Sequence, residues 1–113
     1  MLTEKDYCDR DTAIALQKLG YNNKYCRDDG TPVISLYEAQ KWLREEKGII
    51  VECTFAYMDE KRDKYYSVQI VTNIRFDDEN YTYECDTMHL ESSRDENALS
   101  EGIKEAVKVL AIC

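Results

Sequence analysis

Ile49-Ile50-Val51-Glu52-Cys53-Thr54-Phe55-Ala56-Tyr57-Met58 is the stretch where the apolar period of the chain changes from helical to alternating. Ile49, Val51, Cys53, Phe55 and Tyr57 alternate with Ile50, Glu52, Thr54, Ala56 and Met58, which predicts a strand with one wetter face. Asp59 to Asp63 supplies a charged turn, and beyond it Tyr66, Val68, Ile70, Thr72 and Ile74 alternate with Tyr65, Ser67, Gln69, Val71 and Asn73. Two alternating runs joined by so short a turn read as an antiparallel hairpin. Asp77-Asp78-Glu79-Asn80 turns the chain again into Tyr81, Tyr83, Cys85 and Thr87, alternating with Thr82, Glu84, Asp86 and Met88. Local connections alone therefore give a three-stranded meander.

Upstream, Ser35-Leu36-Tyr37-Glu38 has the spacing of a capping box, in which hydroxyl and carboxylate each satisfy an orphan backbone N–H. It predicts a helix from Leu36, with Leu36, Ala39, Trp42, Leu43 and the stem of Glu46 inward, Gln40, Lys41, Arg44 and Glu45 elsewhere, and Gly48 as the exit. Earlier still, Asp9 is placed to cap a helix over residues 10–19, with Ala15, Leu16 and Leu19 as its stripe and Gly20 as a left-handed stop. Asp28-Asp29-Gly30 is able to turn a short hairpin between residues 24–27 and 31–34. At the other end, Ser93 and Glu96 form a second capping box ahead of Leu99, Ile103, Ala106, Val107 and Leu110. Gly102 interrupts that stripe and predicts a close approach of the last helix to the sheet. The expected fold is a single α+β domain over residues 1–113, in the order α-(ββ)-α-β-β-β-α. Its three-stranded antiparallel meander carries helices mainly on one face, with the short hairpin as an optional extension.

Composition narrows the function classes. The 113 residues carry 23 Asp and Glu against 15 Lys and Arg, a net charge of −8, which disfavours direct nucleic-acid binding through counterion release. No apolar run approaches the length of a membrane span, so no membrane partner is expected. Met1-Leu2-Thr3-Glu4-Lys5-Asp6 has neither the basic flank nor the apolar stretch of a secretory leader, which predicts a cytoplasmic chain. The five cysteines, Cys8, Cys26, Cys53, Cys85 and Cys113, are odd in number and outside a secreted, loop-rich context, so free thiols are expected.

Signals for chemistry are weak. Cys85 and His89 are the only closely spaced pair of soft ligands, and they are expected to leave the strand, with Cys85 buried and His89 at the surface of a strand-to-helix connection. Four isolated glycines make no phosphate loop, and carboxylates occur in every turn without a distinguished pair. No catalytic residue, metal site or cofactor is expected. Two excesses remain. Residues 77–105 hold ten Asp and Glu against Arg94 and Lys104 alone, a local balance of −8. Nine of the residues are tyrosine, and Tyr57, Tyr65, Tyr66, Tyr81 and Tyr83 all fall on the meander. Solvation and plain sheet packing account for both excesses, and so does an interface, since tyrosine brings large contact area at low entropic cost.

Residues 35–110, as helix, three antiparallel strands and helix, resemble the double-stranded-RNA-binding-domain fold and the similar layout of HicB-type antitoxins. That RNA-binding family requires basic residues where this chain has Ser93-Arg94-Asp95-Glu96, so the resemblance implies topology alone. Pro32-Val33-Ile34-Ser35 leading into Ala39-Gln40-Lys41-Trp42-Leu43-Arg44-Glu45 resembles small uncharacterised prophage and mobile-element proteins of gut Bacteroidales. So do Ala98-Leu99-Ser100-Glu101-Gly102-Ile103-Lys104-Glu105-Ala106 and Leu16-Gln17-Lys18-Leu19-Gly20-Tyr21. The acidic stretch over residues 76–93 is longer than that pattern, and the family brings no activity with it. In this reading Trp42 anchors its helix to the sheet, with Lys41 and Arg44 toward solvent. The expected function is a non-enzymatic protein-binding module or homodimer of phage or mobile-element origin. Its candidate contacts are Tyr57, Tyr65, Tyr66, Tyr81, Tyr83, Asp77, Asp78 and Glu79. An acidic inhibitor that imitates nucleic-acid charge is the alternative, and a small cytoplasmic enzyme using Cys85, His89 or a carboxylate is the third.

Overall fold

The computed structural model describes residues 6–90 and 98–112, so the Ser93–Glu96 capping box and Cys113 lie outside the described residues. The elements are α1 (Arg10–Lys18), α2 (Leu36–Glu46), β1 (Ile50–Met58), β2 (Lys64–Asp77), β3 (Thr82–Leu90) and α3 (Ala98–Ile112). The three strands form one antiparallel sheet in the order β1-β2-β3. The chain is thus α+β with the expected element order. The segment between α1 and α2 forms no strand; its turn is held by the single bridge Cys26↔Pro32, with Arg27 N–H donating to the Thr31 carbonyl. Val33 N–H donates to the Tyr25 carbonyl on the other side of the same bridge, so the expected hairpin is present as a single bridge flanked by two backbone bonds, too short to count as strands.

The first two helices start where their caps dictate. Asp9 Oδ1 accepts from Thr12 N–H at 2.8 Å, and Ser35 Oγ accepts from Glu38 N–H at 3.1 Å. The Glu38 carboxylate departs from the capping-box scheme, taking the Ser35 hydroxyl on Oε1 and the Tyr21 hydroxyl on Oε2. Tyr21 then meets Trp42 edge-on at 5.7 Å, and Lys47 lies over the Trp42 ring. Trp42 is therefore half-buried, packed against the core and held edge-on by Tyr21 of the segment following α1, while Leu36, Ala39 and Leu43 are the buried residues of α2. Gln40, expected off the packed face, donates from Nε2 to the Val51 carbonyl at 2.6 Å.

The core lies between the helices and one face of the sheet. Directly opposed residues of an antiparallel pair share a face, so Val51↔Ile70 and Cys53↔Val68 place these four toward the helices. Leu16, Ile34, Leu43, Ile70, Ile103, Val51 and Val68 are fully buried there. α3 packs on β1, β2 and both other helices, so it is the centre of the layer. A Cβ added at Gly102 would come within 2.6 Å of Val68 Cγ1 and 2.8 Å of Val51 Cγ1, which is the close approach that the glycine predicts. α1 joins the layer through α3, and Lys104 Nζ sits 2.6 Å from Asp9 Oδ2. One carboxylate thus caps α1 and ties it to α3. Burial pushes the Asp9 carboxyl up, but the bonds from Lys104 and Thr12 outweigh it and leave it below the usual range. The bond to Asp9 raises Lys104 above its own usual value.

Two outcomes follow for stability. Gly102→Ala should cost about 1–3 kcal/mol in urea unfolding by overpacking, more than the roughly 1 kcal/mol that helix propensity returns. Its cost should shrink when introduced into Val68→Ala, and an equal cost in both backgrounds would contradict the contact. Asp9→Asn keeps the cap and should lose well under 1 kcal/mol, because the pair is half-exposed, whereas Asp9→Ala should lose about 1 kcal/mol more. The contribution of the lowered Asp9 carboxyl is complete above its unfolded pKa and fades as pH falls through its folded one. That of the raised Lys104 is complete below its unfolded pKa and fades as pH rises through the folded one. Unfolding of the wild type and of Asp9→Asn should therefore differ at neutral pH and converge at both acid and alkaline extremes.

Candidate functional site

Two bulges decide where the aromatic side chains go. In β1, Phe55 pairs with Tyr66 and Tyr57 with Tyr65, which leaves Ala56 as an extra residue. In β2, Thr72 pairs with Asp86 and Arg75 with Glu84, so Asn73 and Ile74 together oppose Cys85. An extra residue shifts the alternation by one, and every side chain beyond it changes face. The strict alternation expected through Tyr57 in the first strand and Ile74 in the second is corrected at these two points. Asn73 sits at φ 52°, a backbone that asparagine tolerates better than most residues, and its amide donates to Asp86 Oδ2 at 2.7 Å.

The candidate tyrosines separate accordingly. Tyr66 faces the helices, packed against the core and edge-on to Phe55 at 6.1 Å. Tyr57 and Tyr65 lie on the opposite face, stacked with ring centroids 4.6 Å apart. The Tyr65 hydroxyl donates to Asp59 Oδ2, and the same Asp59 side chain accepts from the N–H groups of Lys61 and Asp63 to shape the first hairpin turn. At the far end of β2, Phe76 pairs with Tyr83, also on the face away from the helices. Tyr81 stands at the second hairpin tip, outside the strand in which its alternation had put it, with φ 53° and 85% of its surface exposed. Phe76 lies eleven positions beyond Tyr65 in the sequence. At about 3.3 Å per residue, the two aromatic groups lie roughly 36 Å apart at opposite ends of the sheet.

The candidate acidic residues, Asp77, Asp78 and Glu79, belong to the second end. Asp77 accepts from the Asn80 side chain at 2.7 Å and from Glu79 N–H at 3.0 Å, which holds its carboxyl below the usual range and assigns it to the turn. Asp78 and Glu79 are exposed, as are Glu84 and Asp86 along β3. Phe76 and Tyr83 are 61% and 71% exposed, so the hairpin of β2 and β3 presents aromatic rings among exposed carboxylates. Sequence reasoning did not single out Phe76, Phe55 or Met58: Phe55 fell in the apolar set of the first strand, Met58 in its alternate set and Phe76 in the acidic stretch beyond the second strand, yet all three are exposed.

His89 and Cys85 both lie within β3, which runs past the point where the sequence signal for a strand fades, and both face away from the helices. Cys85 is half-buried beside Thr87 Oγ1, and His89 is exposed, so neither stands in a strand-to-helix connection. Four residues apart on one strand, their α-carbons are separated by about 13 Å, beyond the reach of a thiolate–imidazole hydrogen bond. His89 instead borders a notch of about 420 Å³ with Ala56, Tyr57, Tyr65, Tyr66, Ser67 and Leu90. Among the described residues no group of three or more His, Cys, Asp or Glu is placed to hold a metal ion. Cys8 is a buried thiol, pushed up to about 12 chiefly by burial and then by Asp9 and Glu38, whereas Cys26 is exposed. In the native protein at pH 8, iodoacetamide should therefore modify Cys26 quickly and leave Cys8 untouched until the chain unfolds; rapid native labelling of Cys8, read by peptide mass, would contradict this burial.

Among the described residues no helix is long and apolar enough to cross a membrane. No protein-family model, curated protein or solved structure matches the chain.

Proposed function

We propose that the protein is a non-enzymatic protein-binding module, of the phage or mobile-element kind its sequence resembles, and that the β2–β3 hairpin is its contact arm. One observation carries this reading: Tyr81, at the tip of the arm, is 85% exposed in a left-handed backbone. For a bulky L-residue that conformation costs of order 1–2 kcal/mol, and glycine would adopt it freely. The ring meets almost no protein in return. A strained, exposed aromatic that does nothing for the fold is the pattern expected of a contact residue. Phe76 and Tyr83 flank it with the rigid, amphipathic surface that interfaces favour.

The acidic inhibitor that imitates nucleic-acid charge draws on the same arm, because Asp78, Glu79, Glu84 and Asp86 are exposed there. Salt separates the two readings: attraction by charge alone falls steeply as ionic strength rises, while an aromatic-anchored contact retains most of its strength.

Tyr81→Gly should raise stability by about 1 kcal/mol in urea unfolding and, at the same time, weaken retention of a captured host protein. Tyr83→Ser should weaken retention with little change in stability. Immobilised wild type and both variants, exposed to the same lysate, give the comparison; identical retention by all three would remove the arm from the function.

A further inference from the structure

The sheet has two edge strands of nine residues each, and the outer edge of β3 is the less obstructed of the two among the described residues. The order β1-β2-β3 gives Thr82–Leu90 one hydrogen-bonded neighbour, so alternate N–H and C=O groups on its other side meet no strand among the described residues. Soluble proteins ordinarily guard such an edge with Lys, Pro, a bulge in the edge strand itself or inward-pointing charge, and of these β3 has only the last, Glu84 and Asp86 on the helix side. Thr82-Tyr83-Glu84-Cys85-Asp86-Thr87-Met88-His89-Leu90 has no Lys, Arg or Pro, and the bulge beside it belongs to β2. The opposite edge is treated differently. β1 is bulged at Ala56, and its Val51 carbonyl is taken by Gln40.

Charge then decides what can add there. On the helix side of the sheet β3 presents Glu84 and Asp86; the nearby cation, Arg75, lies 3.8 Å from Glu84 across the β2–β3 pair. A second copy pairing β3 against β3 would bring these carboxylates toward their equivalents, and like charges across a strand pair are destabilising. An incoming strand with Lys or Arg on that side is attracted, and its alternate residues fall on the other side beside Tyr83. We infer that the outer edge of β3 takes an extended segment of another protein, alternating basic and apolar residues, as a fourth strand. Its basic side chains lie against Glu84 and Asp86, and its apolar ones against Tyr83. This rests on the arm being a protein-binding surface and adds the chemistry of the partner and the mode of contact.

The test uses the full chain and three fluorescein-labelled peptides matched to the nine residues of β3. One alternates lysine and valine, one alternates glutamate and valine, and one is the lysine peptide with alternate backbone nitrogens methylated. The lysine–valine peptide should bind at least about tenfold more tightly than either control, because only it offers both the charge and the N–H donors. Amide exchange over residues 82–90 should slow when it binds, and Glu84→Gln with Asp86→Asn should weaken it about tenfold and flatten its salt dependence. Equal binding of the methylated peptide, unchanged exchange in residues 82–90, or no binding at all would overturn strand addition. If the peptide fails while Tyr81→Gly and Tyr83→Ser still release the captured protein, strand addition falls and the contact arm stands. If capture ignores those tyrosines, the arm itself falls.

Discussion

The contact of Gly102 with Val68 and Val51 sets the geometry of the molecule. Hydrogen in place of a methyl group lets α3 descend onto β1 and β2 until Cγ1 atoms of two valines fill the space where a Cβ would stand. Interiors at native density do not absorb a misfit of that size without moving something. Ile103, Ala106 and Val107 take their depth from this approach, and α1 and α2 in turn pack against α3. A glycine that weakens its own helix is retained at the one position where backbone proximity is worth more than propensity.

The same layer explains why so much apolar surface stays in solvent. α3 has 15 residues and β2 has 14. At about 1.5 Å per residue the helix spans roughly 22 Å, and at about 3.3 Å per residue the strand spans roughly 46 Å. Helices of this length cannot roof the sheet they lie on, so both ends of β2 overhang. The radius of gyration of 15.6 Å reflects this, since a compact chain of this length would have about 13 Å. Phe55 and Met58, on the helix side, are left exposed at one overhanging end, while Tyr57, Phe76 and Tyr83 are exposed on the face that no described helix covers and Tyr81 at a hairpin tip.

What was legible in the sequence is what local chemistry controls. Asp9 and Ser35 announce their helices through side-chain oxygens at fixed spacing, and Asp59 and Asp77 shape their turns through the same Asx chemistry. Gly102 was legible because a glycine inside a helical stripe has few other reasons to be there. The bulges were not placed from sequence: Ala56 carries no signal, Asn73 carries only asparagine's poor strand propensity, and each reverses the faces beyond it once the register on both sides is known. Gln40 escaped because its bond runs to a strand edge 11 residues away, a contact that helical spacing cannot register. The candidate tyrosines were chosen by type, and the structure sorts them by place: Tyr66 to the core side, Tyr57 and Tyr65 to one end, Tyr81 and Tyr83 to the arm.

Charge gives the overhanging ends their character. Exposed aromatics and an open strand edge ordinarily invite self-association. A chain of net charge −8 that places Asp78, Glu79, Glu84 and Asp86 around that edge sets like charge against every other copy of itself. The carboxylates therefore act on specificity before they act on affinity. In the binding role proposed above, they set the chain's own duplicate at a disadvantage and favour a partner that brings positive charge. An arm that had only the tyrosines would be adhesive, and one that had only the acids would be a solvated loop; the two together make contact conditional on the sign of the surface that approaches.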